Sequence, residues 1–160
     1  MSSQILTEQS SRAVEAWPRL LRTHAILTRE LNARLFAEHG LTMNDYEALL
    51  RLSWAENSAL RRVDLAEQLL LTPSGITRLL DGLERDGWVT KLSCESDARV
   101  TYAVLTDEGR ERFEAAARTH LAQVRALFEA HLSAEELETL ADLLGRLPGG
   151  EGDSGSCSPP

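Results

Sequence analysis

The chain reads as a mainly α fold with one small β-hairpin, and three observations carry that reading. Apolar residues recur at steps of three and four over long stretches near both ends, the stripe of an amphipathic helix. Helix-capping residues punctuate the middle at short intervals. One alternating run, Val100, Tyr102 and Val104, has instead the period of a strand with one face buried.

Taken in order, residues 12–38 place Trp17, Leu20, His24, Leu27, Leu31 and Leu35 on one helical stripe, and Gly40 ends it. Thr42 caps a second helix carrying Tyr46, Leu49, Leu50 and Trp54, after which the polar stretch "AENSALRR" reads as a loop. "VDLAEQLL" is a short helix with Asp64 in its first turn, where a carboxylate suits the helix dipole. Thr72 as N-cap, Pro73 at the first helical position and Gly87 just past the end delimit a helix over 73–86. That helix buries Ile76, Leu79, Leu80 and Leu83, which leaves Ser74, Thr77 and Arg78 exposed in its first two turns. Strands follow at 89–92 and 99–105, joined by the tip "SCESDA". Thr106 opens a helix with Phe113, Ala117, Leu121, Val124 and Phe128, running to about residue 132. Ser133 and Glu136 form the capping box of a last helix with Leu137, Leu140, Leu144 and Leu147. Residues 148–160, "PGGEGDSGSCSPP", have the composition of a disordered tail.

Composition narrows the function. With 160 residues and 42% hydrophobic content there is enough for one core. Twenty-five acids against 17 Lys and Arg give a net charge of −8, which argues against bulk attraction to a polyanion. Residues 61–101 are nearly balanced, with six bases and seven acids. Only Cys94 and Cys157 carry thiols, and the polar opening stretch lacks the apolar core of a signal peptide, so a cytoplasmic setting is expected. No run approaches the about 18 apolar residues of a membrane span. Glu95 and Asp97 beside Cys94 oppose a reactive thiolate, and His24, His39, His120 and His131 lack ligand spacing, so neither metal nor cofactor is expected. A Gly-rich phosphate loop, a nucleophile elbow and paired carboxylates in a pocket context are all missing from the sequence, which sets catalysis aside.

Two helices joined by a short turn, the second polar in its first half, followed by a hairpin, make a winged helix-turn-helix. A helix of this kind fits the major groove of duplex DNA, where Ser74, Thr77 and Arg78 would reach base edges. Thr77 can equally bond back to its own helix. Gly75 lets the backbone approach. Arg99 on the wing suits the negative potential of the minor groove, and Asp97 can restrain that arginine or tie the wing to the helices by a salt bridge. Arg61 and Arg62 are further phosphate contacts or simply solvated loop cations.

With "LAEQLLLTPSGITRLLDGLERDGWV", "DARVTYAVLT" and "TDEG" in this order, the chain resembles the MarR family of bacterial transcription regulators over about residues 12–147. The resemblance implies a homodimer joined through residues 12–38 and 106–147, with DNA-binding lobes at 42–105. It also implies a pseudo-palindromic operator, repression, and release by a small phenolic or other aromatic anion. The terminal stripes support a dimer independently, being too long and too apolar to bury within one small lobe. Trp17, His24, Tyr46 and Asp64 are candidate effector-pocket residues, or in the case of Trp17 and His24 simple packing residues. Trp17, Asp64 and Arg99 match the positions that a urate- and purine-responsive subgroup of the family uses. Gly82 departs from the pattern: many relatives carry Arg or Lys there, which implies close packing and one missing phosphate contact. The rival reading is a winged-helix protein-interaction module without specific DNA binding.

Overall fold

Four helix starts are held by side chains. Thr42, Thr72, Thr106 and Ser133 each accept the backbone N–H three residues on, from Asp45, Gly75, Gly109 and Glu136. At Thr42 and Ser133 the bond is reciprocated by Asp45 and Glu136, so two of the donors that a helix start leaves free are satisfied at once. These caps fix the element boundaries in a computed structural model that describes residues 12–93, 97 and 99–149. The order is α1 (Arg12–His39), α2 (Met43–Trp54), a 3-10 turn (Glu56–Ser58), β1 (Ala59–Arg61), α3 (Arg62–Gln68), α4 (Pro73–Arg85), β2 (Val89–Ser93), β3 (Thr101–Leu105), α5 (Asp107–Glu129) and α6 (Ala134–Gly145).

The predicted hairpin is part of a three-stranded antiparallel sheet in the order β1-β3-β2. Residues 59–61, expected as loop, pair with β3, Leu60 opposite Ala103 and Arg61 opposite Tyr102. Three residues are too few to show an alternating pattern; β1 exists because β3 offers it an edge. The buried face of β3 is also the opposite of the expected one. Ala103 and Leu105 are buried, whereas Tyr102 and Val104 are half-buried. Ala103 lies between Leu60 and Lys91 on the flanking strands, where a small side chain allows close packing; both faces of β3 carry apolar residues, so the alternation did not reveal its phase.

One core joins these elements: Leu35, Leu41, Leu49, Leu52, Leu65, Ile76, Leu80, Leu83, Val89 and Ala103 have at most 2% of their surface exposed. The stripe on α1 divides into two parts. Leu31 and Leu35 are buried, but Trp17 is 61% exposed and Leu20 and Leu21 are also open. Helix α6 buries no residue at all. Among the described residues no helix is long and apolar enough to cross a membrane. The expected tail lies, apart from residues 148–149, outside the described residues, as do Cys94 and Cys157.

Candidate nucleic-acid interface

The α3–α4 unit is set by its turn. Leu70 takes a left-handed φ of 52°, reversing the chain, and Thr72 then caps α4 through the Gly75 N–H at 3.1 Å. Burial of Ile76, Leu80 and Leu83 fixes the rotation of α4 about its axis. Ser74 and Arg78, four residues apart and therefore neighbours on the helix surface, point to solvent. Arg78 has no ion-pair or hydrogen-bond partner among the described residues, so its donors are free for an incoming ligand. Thr77 is half-buried and its hydroxyl donates to the Pro73 carbonyl at 2.8 Å; towards a base it therefore offers a methyl group and an acceptor.

On the wing, Asp97 acts on the backbone. Its Oδ1 accepts the Arg99 N–H at 2.9 Å and its carbonyl accepts the Val100 N–H at 3.0 Å. This Asx turn delays the start of β3 to Thr101, two residues later than expected, and holds Arg99 at the exposed bend. The expected tie from Asp97 to a guanidinium is absent among the described residues.

Arg61 is engaged: Nε and Nη2 each lie 2.7 Å from an Asp64 carboxylate oxygen, a bidentate pair that clips the end of β1 to the first turn of α3. Arg62, the first residue of α3, is half-buried. Gly82 does not mark close packing. A Cβ there would meet only Arg85 Nη2, at 3.7 Å. Sequence reasoning also overlooked Lys91, whose ammonium lies between Asp81 and Glu84 of α4. Its charged form is favoured by hydrogen bonds to Asp81 and then Glu84, which raise its pKa, and Lys91 in turn lowers that of Glu84.

The candidate effector residues are dispersed. Tyr46 is buried, its ring 5.5 Å from Phe113 and 4.6 Å from His120, and burial raises its pKa, with Glu47 adding to the effect. Asp64 is held by Arg61. His24 lies in a cleft of about 400 Å³ with Leu20, Leu21, Leu144 and Leu147, between α1 and α6. A second cleft of about 420 Å³, between α1 and α5, is lined by Glu30, Arg34, Glu38, Thr119 and Gln123 among others. Neither contains Trp17, Tyr46 or Asp64. Among the described residues no three His, Cys, Asp or Glu side chains gather as metal ligands.

Helix α3, the turn at Leu70 and the capped helix α4, followed by the antiparallel β2–β3 hairpin, define the winged helix-turn-helix class. Residues 41–101 match the model of the MarR family. The chain is 35% identical over 112 residues to the HTH-type transcriptional repressor YetL of Bacillus subtilis, a match that spans 70% of this chain and 66% of YetL. Among solved structures it is similar to AbsC, a MarR family transcriptional regulator from Streptomyces coelicolor, with a TM-score of 0.72 and 36% identity over 81% of this chain and 86% of AbsC. It is also similar to Sco3205 of the same organism, a MarR family regulator solved in complex with DNA, with a TM-score of 0.74 and 29% identity over 80% of each chain. The chain belongs to the MarR family, whose members are DNA-binding transcriptional regulators and not enzymes.

Proposed function

We propose that the protein is a homodimeric repressor that binds a pseudo-palindromic operator in double-stranded DNA and is released by a small aromatic or anionic ligand. Residues 12–147 form the working unit, with the DNA-binding lobe at 42–105. Ser74, Thr77 and Arg78 enter the major groove and Arg99 the adjacent minor groove, while Arg62 approaches phosphate. The observation that carries the reading is that Arg78 and Arg99 are exposed and have no ion-pair partner among the described residues, in a chain of net charge −8. A few positioned cations, and not bulk charge, supply the contacts. What supports the dimer is the open apolar half of α1, from Val14 to Leu21, together with Leu143, Leu144 and Leu147 at the other end of the chain; surfaces of this kind are normally covered. Such a repressor acts in the cytoplasm, where its DNA is.

Two phosphate-bound lobes that neutralise about six to ten phosphates lose about 10³ to 10⁵ in affinity between about 50 and 200 mM salt. Fluorescence anisotropy with a duplex drawn from the DNA flanking the coding region measures this. Arg78→Glu or Arg99→Glu abolishes binding, while light scattering still reports the dimer. Wild-type affinity in both variants would overturn the assignment of Arg78 and Arg99 as contacts, and no duplex binding in the parent at any salt would favour the protein-interaction module instead.

The Arg61–Asp64 pair favours one particular effector chemistry. Arg61 is exposed and Asp64 half-buried, and a purine anion such as urate competes with Asp64 for the Arg61 guanidinium, loosening β1 from α3 and so shifting α4. Trp17, Asp64 and Arg99 are the residues that the purine-responsive reading assigns to the effector. Calorimetric titration with urate and xanthine tests it; no heat, and no release from DNA at millimolar ligand, eliminates that chemistry and leaves the repressor assignment standing.

A further inference from the structure

Lys91 is the only lysine in the chain, whose other 16 basic residues are arginines. It stands on β2 facing α4. Its Nζ lies 2.6 Å from Asp81 Oδ1 and 2.8 Å from Glu84 Oε2, and its backbone N–H is 3.3 Å from Glu84 Oε1. Asp81 and Glu84 are three residues apart on one face of α4, so without a cation between them they repel each other. Arg78 and Asp81 are likewise three apart, which puts the first of these carboxylates beside the guanidinium that is offered to DNA. The side chain of Lys91 is 29% exposed, less than either partner, so the network is less open to solvent screening than a free surface pair.

The strand that carries Lys91 leads into the wing. β2 pairs with β3 in a register that sets Lys91 opposite Ala103 and Ser93 opposite Thr101. Arg99 stands two residues before Thr101, on a bend closed by Asp97. A shift of β2 relative to α4 therefore carries Arg99 with it.

We propose that Lys91 is a positioning residue for DNA binding: through Asp81 and Glu84 it locks the wing to α4, setting Arg99 relative to Ser74 and Arg78, and it neutralises two carboxylates that would otherwise face the phosphates. It touches no DNA itself. The inference rests on the reading of Arg78 and Arg99 as DNA contacts.

The test is a set of affinities by anisotropy, on a fluorescent duplex selected by the wild-type protein from random sequence. The proteins are wild type, Lys91→Met, Lys91→Arg, Asp81→Asn with Glu84→Gln, the triple variant, Arg99→Ala, and Arg99→Ala with Lys91→Met. Lys91→Met weakens binding about tenfold, from two lost ion pairs near a polyanion, and Lys91→Arg restores most of the loss. On the Asp81→Asn, Glu84→Gln background the same change costs less than about twofold, because Lys91 then has nothing to hold. The penalty of Arg99→Ala shrinks when Lys91 is already Met, since the wing is no longer aimed. A fold defect alone leaves the Arg99→Ala penalty the same with and without Lys91→Met.

Reductive methylation with ¹³C-formaldehyde labels Lys91 as the single side-chain amine. Its NMR titration runs above the ordinary lysine range in wild type and returns to it in the Asp81→Asn, Glu84→Gln protein. Three results overturn the proposal: an ordinary wild-type titration; a full Lys91→Met loss that persists without the carboxylates and lowers the salt slope by about one, which marks a direct phosphate contact; or an Arg99→Ala penalty that is independent of Lys91. Should Arg99→Ala alone leave affinity unchanged, the wing reading beneath the proposal falls, and the proposal with it.

Discussion

Gly109 occupies a position where no side chain fits. A Cβ there would overlap the Trp88 carbonyl oxygen and lie 3.0 Å from Leu105 Cδ1. The contact is close because Thr106 draws the start of α5 onto the entry to β2: its N–H donates to the Trp88 carbonyl at 3.1 Å, and its hydroxyl donates to the Gly87 carbonyl at 2.7 Å while accepting from Gly109. The obstacle is backbone, which cannot rotate away as a flexible side chain would. Gly109→Ala therefore costs about 3 kcal/mol or more, the upper range for overpacking, read as a lower urea midpoint at unchanged m-value. An unfolding free energy within about 0.5 kcal/mol of wild type would falsify this account of the junction. The glycine of "TDEG" was visible in the sequence as part of a motif, but the reason for it was not, since Trp88 lies 21 residues earlier.

The opposite case arises within α4. Gly82 sits in the helix interior with open space at its Cβ position, so the backbone entropy it costs is offset by no packing gain. Gly82→Ala raises stability by about 1 kcal/mol, seen as a higher urea midpoint, and leaves DNA affinity unchanged because the residue lies between exposed Asp81 and buried Leu83 and touches no cation offered to DNA. A destabilised variant would mean that something outside the described residues covers this position. Elements of this kind were legible wherever local rules decide them. Thr42, Thr72, Thr106 and Ser133 announce their helices because a cap and its partner are three residues apart. Ser74 and Arg78 were legible as exposed because Ile76, Leu80 and Leu83 mark the other face. What the sequence concealed depends on pairing at a distance: β1 needs β3 some 43 residues on, and Lys91 needs carboxylates ten and seven residues back. The turn that Asp97 closes at Arg99 was read as the start of a strand because an Asx turn leaves no hydrophobic signature.

At the scale of the molecule, α2 and α5 meet along a seam in which Tyr46 packs against Phe113 and His120. His39, at the end of α1, bonds the hydroxyl of Thr119 at 2.8 Å beside it. Any movement of α2 against α5 has to work through this contact, which makes its protonation state a property of the whole fold. Burial lowers the pKa of His120, and its Nδ1 is enclosed without a hydrogen-bond partner among the described residues, so the folded state resists the imidazolium. In the unfolded chain the ring titrates near about 6.5. As pH falls below that value the unfolded chain takes up the proton first, so stability declines from about pH 6.5 downward through the lower folded pKa, and it has no dependence on this group above it. His120→Phe keeps the stacking on Tyr46 and removes the titration. Urea melts at fixed protein concentration, compared between about pH 7.5 and 5, should show wild type losing more stability on acidification than the Phe variant. The carboxylates and the other histidines are common to both proteins and cancel in the difference. Parallel pH profiles would show that His120 accepts its proton in the fold as readily as in the open chain, and that the seam is polar enough to house the charge.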